Sequence, residues 1–171
     1  MIFLTHPSPK YKQTFLEGVR EFQREGRLHF YNIRRISDDF EEFLQQVLDQ
    51  KDQKKTTPYR VPTTDFWLID GDEYVGQLSL RHELNDFLNR VAGHIGYQIR
   101  PARRRQGYGK EILRLGLEKA REMGLPRALV TCDENNIGSK KIIEHNGGKF
   151  ENAVDVEGSP VKKLRYWIDL R

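Results

Sequence analysis

Apolar residues recur along this chain with two different spacings, and the switches between them divide it into elements. Met1 to Thr5 is a short apolar run predicted as an opening or edge strand. Ser8-Pro9 reads as an N-cap followed by proline in the first helical turn, where a missing N–H is tolerated. Phe15, Leu16, Val19 and Phe22 then repeat at helical spacing up to Gly26. A second helix is predicted from Ser37 or Asp38, with Asp38 and Glu41 spaced as a capping pair. Phe40, Phe43, Leu44, Val47 and Leu48 form its stripe, and stripes of this kind are far more often core than ligand box. Asp49 to Pro62 is polar and reads as a solvated connection rather than a domain linker.

Beyond it the spacing changes from helical to extended. Phe66 to Ile69, the turn signal Asp70-Gly71-Asp72-Glu73, and Tyr74 to Leu80 predict an antiparallel hairpin. Arg81-His82-Glu83-Leu84-Asn85 leaves that hairpin loaded with polar groups, and a further strand is predicted over Ala92 to Ile99. Helical spacing returns from Gly107 to Met123, with Gly124 and Pro126 as its stop. A strand over Ala128–Thr131, a short helix from about Ile137 to His145 and two closing strands around Glu157-Gly158-Ser159-Pro160 complete the order. This order predicts a mixed α/β sheet with antiparallel flanks and one parallel crossover, between 92–99 and 128–131.

Composition narrows the picture. The 171 residues suffice for one compact domain with a real core. With 37% hydrophobic residues the chain is too apolar to be disordered. No window approaches the apolar length of a membrane span, and Met1 to Lys10 lacks the features of a signal peptide. A single cysteine, Cys132, leaves no internal disulfide to form and fits a reducing, cytoplasmic setting. The formal charge of +4 is unevenly spread, with five basic residues between Arg100 and Lys110. Such a cluster suits an anionic partner, either nucleic acid or a phosphorylated cofactor. No spacing of histidines and carboxylates suggests a metal site.

The candidate chemistry lies in Gly93 to Lys110, GHIGYQIRPARRRQGYGK. A strand ends at a proline, three arginines follow, and Gly107 and Gly109 open a helix. Glycines allow close backbone approach, and first-turn amides lack intrahelical partners, so the stretch suits a pyrophosphate. It is neither a P-loop nor a full dinucleotide fingerprint: the sixth residue from Gly107 is Ile112.

Arg104-Arg105-Gln106-Gly107-Tyr108-Gly109 does fit [RQ]-x-x-G-x-[GA]. After a strand ending Ile99-Arg100-Pro101, it resembles the acetyl-CoA motif of the GCN5-related N-acetyltransferase (GNAT) superfamily. Asn136-Ile137-Gly138-Ser139, followed by Glu144 and Gly147, is similar to that superfamily's N-x-x-[SA] segment. The resemblance covers roughly residues 60 to 170. It implies one N-acetyltransferase domain over 1–171: a mostly antiparallel sheet with a splayed parallel strand pair, flanked by about four helices. It implies acetyl-CoA as cofactor, a small-molecule amine or peptide as acceptor, neither nucleic acid nor membrane as partner, and a homodimer as one common assembly.

Carried over residue by residue, backbone amides of Arg104, Arg105, Gln106, Gly107, Tyr108, Gly109 and Lys110 would hold the pyrophosphate. Ile99 and Arg100 end the cofactor strand, with Ile99 offering its backbone to the pantetheine arm and the acetyl carbonyl. Asn136 and Ser139 would meet the arm, and Arg103 or Arg105 the nucleotide phosphates. The tyrosine that many members use to protonate the departing thiolate is replaced by Ile143, leaving Asn146, Ser139 or a water for that task. Glu83 is the favoured general base among Glu83, His82, His94, Asp133 and Glu134. Trp67, Arg81, His82 and Tyr97 are expected to line the acceptor pocket. Cys132, with no legible Cys–His pair, reads as a small buried residue rather than a nucleophile. Two other readings share these residues: an acyl-CoA-binding sensor without catalysis, and a nucleic-acid-binding module built on the arginines.

Overall fold

The computed structural model describes residues 1–52 and 60–171. Half of the polar connection expected between Asp49 and Pro62, residues 53–59, therefore lies outside the described residues. Seven strands form one sheet: β1 (Ile2–Thr5), β2 (Thr63–Asp70), β3 (Glu73–Arg81), β4 (Ile95–Ile99), β5 (Arg127–Asp133), β6 (Lys149–Val154) and β7 (Lys163–Asp169). Their order is β1-β2-β3-β4-β5-β7-β6, and every neighbouring pair is antiparallel except β4 and β5. Five helices are described: α1 (Lys12–Arg24), α2 (Ile33–Asp38), α3 (Phe40–Asp49), α4 (Tyr108–Glu122) and α5 (Ile137–His145). None is long and apolar enough to cross a membrane.

Strand alternation sends side chains to two separate cores. On one face Phe66, Leu68, Leu78, Leu80 and Ile95 meet Ile112, Leu113, Leu117 and Ala120 of α4 and Ile143 of α5. On the other, Trp67, Ile69 and Tyr74 meet Phe15, Leu16 and Val19 of α1 and Phe40 and Leu44 of α3. Of the aromatic stripes read as core from the sequence, Phe15, Phe22 and Phe40 are buried, while Phe43 is half-buried at the edge of the core.

Differences from the predicted elements are local. Ser8 does cap its helix, accepting from Lys10 N, but the first three residues wind as a 3-10 turn. The cap of α3 is Asp39, whose Oδ1 accepts from Glu42 N at 3.0 Å, one residue later than the Asp38–Glu41 pairing expected. The six-residue α2, capped by Asn32, is additional. The strand expected from Ala92 starts only at Ile95, because Leu88–Ala92 wind into a wide π-helical turn ending at Gly93. Gly93 has φ 70, and a Cβ there would collide with the Leu129 carbonyl, so only glycine fits.

Candidate functional site

The sheet comes apart in its middle. β4 and β5 share a single register pair, Ile95 opposite Val130, and diverge beyond it. On the other side β4 is fully paired with β3: Arg81 N donates to His94 O at 2.8 Å and Arg100 N to Val75 O at 2.9 Å. The even-numbered residues therefore turn their backbones toward β3, and ladder alternation turns the N–H and C=O of Tyr97 and Ile99 toward the gap. A cleft of about 450 Å³ fills the gap, lined by Gly96, Tyr97, Cys132, Asn136 and Ser139 among others.

The first turn of α5 closes this cleft. Asn136 caps α5, its Oδ1 accepting from Ser139 N at 3.0 Å, and Ser139 Oγ lies 3.0 Å from the Tyr97 hydroxyl. Burial pushes the Tyr97 phenol up to about 12, so it stays protonated at neutral pH and can donate to Ser139. Cys132 is buried and its thiol is pushed up, chiefly by burial, which leaves it a poor nucleophile.

At the far end of β4 the chain turns through Pro101–Arg103 into α4. Arg105 has φ 60 and Gly107 φ 91, and a Cβ at Gly107 would project into open space. Gly107 is thus required by its backbone angle and leaves the approach to the amides of Tyr108 and Gly109 clear. Those amides have no intrahelical acceptor and stand at the positive end of the α4 dipole. Gly109 has a different reason to be glycine: a Cβ there would meet Ile142 Cδ1 at 2.5 Å, so it lets α4 pack on α5.

The arginine run is not a bare positive patch. The guanidinium of Arg100, 7% exposed, sits among Glu21 at 2.8 Å, Glu73 at 2.9 Å and Glu17 at 3.4 Å. Arg103 pairs with Glu73 at 2.6 Å, and Arg104 with both oxygens of Glu25, at 2.8 and 2.9 Å. Arg104 Nε also donates to Ile99 O at 3.2 Å, taking one of the backbone groups expected to serve a ligand. Arg105 and Lys110 make no ion pair among the described residues and remain the exposed cations of the turn. The Arg100 side chain, expected at the cofactor, is a strut between the turn, α1 and β3. Tyr108 is likewise tied down, its hydroxyl donating to Asp70 at 2.7 Å, and Gln106 Nε2 donates to Ala102 O at 3.3 Å.

Several expected catalytic and acceptor groups lie elsewhere or are occupied. Asn146 is at the opposite end of α5 from Ser139, roughly 10 Å along the axis. Its amide donates to Lys110 O at 3.2 Å and Ile142 O at 3.0 Å, which is a helix–helix tie and not a proton donor. Glu83 is exposed and lines neither this cleft nor the one on the opposite face of the sheet. His82 Nε2 lies 2.8 Å from Thr64 Oγ1, and burial lowers its pKa. His94 is buried, its Nδ1 accepting from Leu129 N at 2.9 Å. Asp133 pairs with Lys163 at 2.6 Å, and Glu134 accepts from Lys162 N at 3.1 Å. Arg81 donates to Gly93 O at 3.1 Å, bracing the turn before β4. Trp67 is 2% exposed and stacks on Phe15 at 4.4 Å, so it belongs first to the core.

A second cleft of about 560 Å³ opens on the opposite face, between α2–α3 and β2–β3. Its floor holds Asp65 and Ser79, directly opposite each other on β2 and β3, with Ser79 Oγ donating to Asp65 Oδ1. Ser79 is in turn opposite Gly96 of β4. Burial raises the Asp65 carboxyl above its ordinary range, against the lowering by Ser79 and Arg81. Sequence reasoning passed over this pair. The available signal was a carboxylate alternating in phase with Trp67 and Ile69, on a strand face that is otherwise apolar.

A gap with free backbone groups, continuous with an amide-lined turn, suits an extended amide-bearing arm ending in a pyrophosphate. A family model described as an acetyltransferase (GNAT) domain matches residues 9–149. Among solved structures, the chain is similar to the microcin C7 self-immunity acetyltransferase MccE in complex with acetyl-CoA and AMP. That match has a TM-score of 0.70 at 17% identity and covers 98% of this chain and 92% of the other. The Mycobacterium smegmatis RimJ in complex with CoA-disulfide gives a TM-score of 0.71 at 17% identity, covering 98% and 81%. A spermidine N-acetyltransferase SpeG chimera from Vibrio cholerae and hSSAT gives 0.66 at 14%, covering 99% and 95%. No curated protein matches the chain.

Proposed function

The chain belongs to the GNAT family of acetyl-CoA-dependent N-acetyltransferases, and on that premise we propose that it acetylates a primary amine by direct attack in the gap between β4 and β5. The observation that carries the reading is the lone Ile95–Val130 pairing, which frees backbone donors beside a cleft of about 450 Å³. Acetyl-CoA, when bound, supplies a thioester whose carbonyl carbon is the electrophile. The residues present fit it: the α4 amides with Arg105 and Lys110 for the pyrophosphate, and Tyr97, Ile99, Asn136 and Ser139 along the arm.

Each residue's task follows from its placement. A backbone N–H facing the gap from Tyr97 or Ile99 can donate to the carbonyl oxygen as it gains charge. Ser139 holds the proton for the departing sulfur, and the neutral Tyr97 hydroxyl, 3.0 Å away, orients and resupplies it. The Ser139–Tyr97 pair takes the place of the tyrosine missing at Ile143, which is buried in the core. An amine acceptor is in keeping with the spermidine acetyltransferase among the similar structures. In the same reading residues 1–171 act as one unit, in the cytoplasm and as a homodimer, with amines rather than nucleic acid as partners. The neutralised arginines support that last point.

Calorimetric titration with acetyl-CoA tests the proposal. Wild type should bind, and Gly107→Glu should lose at least about 100-fold in affinity, because an anion is set where the pyrophosphate belongs. A urea melt should be run on the variant, since φ 91 disfavours any side chain. No binding by wild type at millimolar acetyl-CoA, with tight binding of nucleic acid, overturns it.

A further inference from the structure

The cleft between α2–α3 and β2–β3 takes no part in binding the cofactor, yet its lining leads to the gap. Ser79 lines both this cleft and a third one over Arg81 and Leu88, and Phe87 lines both that third cleft and the gap between β4 and β5. A route therefore runs from the α2–α3 side, past Ser79, to Gly96. Adjacent strands lie about 5 Å apart, so Ser79 stands one strand from Gly96 and Asp65 two. Aromatic rings mark both ends of the route: Phe30 is 77% exposed and Phe87 67%. With Tyr31, Phe43 and Trp67 lining the cleft between them, they give the route an apolar wall that suits an apolar ligand body.

The floor and the rim differ in charge. On the floor Asp65 is the carboxylate, beside the rings of Tyr31, Phe43 and Trp67. At the rim the acids Asp39 and Glu42 are opposed by Arg35 and Arg60. The Asp39 carboxylate is committed to capping Glu42 N. A second or third positive charge on a ligand would thus meet a balanced field at the rim, while a single ammonium at the floor meets the Asp65 carboxylate, which is offset there only by Arg81.

We propose that this cleft is the acceptor site, that it takes a primary monoamine with an apolar or aromatic body, and that Asp65 is the general base, acting through Ser79. The proposal rests on acetyl transfer occurring in the β4–β5 gap. The acceptor's ammonium donates to Ser79 Oγ while the Ser79 hydroxyl donates to Asp65. Transfer along this pair leaves a neutral amine, an unchanged serine and a protonated Asp65. The amine lone pair then forms the carbon–nitrogen bond as the carbon–sulfur bond breaks. The second proton of the nitrogen balances the one Ser139 gives to sulfur, and Asp65 releases its proton to water. Arg81, Tyr31 and Tyr74 are the ionisable groups set against Asp65 from β3 and the segment before α2. The two tyrosines are held protonated by burial, so Arg81 is the charge that keeps Asp65 able to ionise.

The test uses the whole protein with 2-phenylethylamine, hexylamine and spermidine as acceptors, reading thiol release. For wild type, kcat/KM with 2-phenylethylamine should exceed that with spermidine at least tenfold. Asp65→Asn should lower kcat/KM for 2-phenylethylamine at least 100-fold at pH 7, narrowing to under tenfold near pH 10, where free amine is abundant. Ser79→Ala should fall in the same direction. Calorimetric affinity of both variants for acetyl-CoA should stay within about twofold of wild type. An Asp65→Asn loss below threefold, or one equal at all pH values, overturns the base assignment. A preference for spermidine, or no turnover of any of the three amines at 10 mM by protein that binds acetyl-CoA, overturns the acceptor site. Failure of wild type to bind acetyl-CoA sinks the parent reading instead.

Discussion

His94 sits at the point where the wide turn hands over to β4, buried against the Leu129 amide. Burial, aided by Arg81 and Arg127, lowers its pKa from 6.5 to about 4, so the folded protein holds it neutral as a hydrogen-bond acceptor. The unfolded chain protonates it near 6.5, so the stability it contributes is present above that pH and is lost as pH falls toward 4. Between pH 7 and pH 5 the loss should be about 2 kcal/mol, because each pH step below 6.5 favours the protonated, unfolded chain by about 1.4 kcal/mol. Urea melts at the two values should show this in wild type and much less of it in His94→Gln. In the sequence His94 is one of the candidates for general base; its side chain instead serves the frame. Strand alternation was able to show that Asp65 shares a face with Trp67. That signal was masked by the apolar run beginning at Phe66, which drew attention past the residue before it.

Among elements, the turn between β4 and α4 owes its shape to α1. Glu17 and Glu21 of α1, and Glu25 just after it, meet Arg100 and Arg104, while Glu73 at the start of β3 joins Arg100 to Arg103. Arg100→Met keeps most of the volume but removes the shared partner of Glu17, Glu21 and Glu73, leaving the half-buried Glu21 with only the Ala102 amide. It should cost about 3 kcal/mol in a urea melt, with Arg100→Met/Glu21→Gln recovering part of that loss. Acetyl-CoA affinity should weaken in step, because the amide-lined turn loses its brace. From the sequence the basic cluster was visible and its neutralisation was not. Glu17, Glu21 and Glu25 lie 79 to 83 positions before their arginines and Glu73 lies 27 to 30 before its own, and no local pattern links them. Local chemistry was easier to read. The limits of α5 and the glycine stops were plain, and the cap of α3 missed by one because Asp38-Asp39-Phe40-Glu41-Glu42 satisfies the same cap spacing in two registers. The added α2 has only Ile33 and Ile36 as apolar markers, too few to set a period.

At the level of the whole molecule, the order of strands and helices sufficed for the antiparallel flanks and the one parallel crossover, while the place of β7 between β5 and β6 comes from the structure. The divergence of β4 from β5 was another matter. It entered only through the family resemblance, because no residue in either strand announces that pairing will stop after Ile95. Its consequence reaches past chemistry. The sheet is two half-sheets, β1–β4 and β5–β7, joined at one end by the Ile95–Val130 pair and the bonds of Gly93 and His94 to β5, over a core they share under α4. A ligand whose arm carries amides can supply the seam that the protein leaves open. At 100 times its dissociation constant, acetyl-CoA should add about 2.7 kcal/mol to unfolding. That corresponds to a rise of roughly 5–10 °C in Tm for a chain of this size. The substrate is then also a structural part of the sheet, and occupancy of the gap can be read from the melting temperature alone.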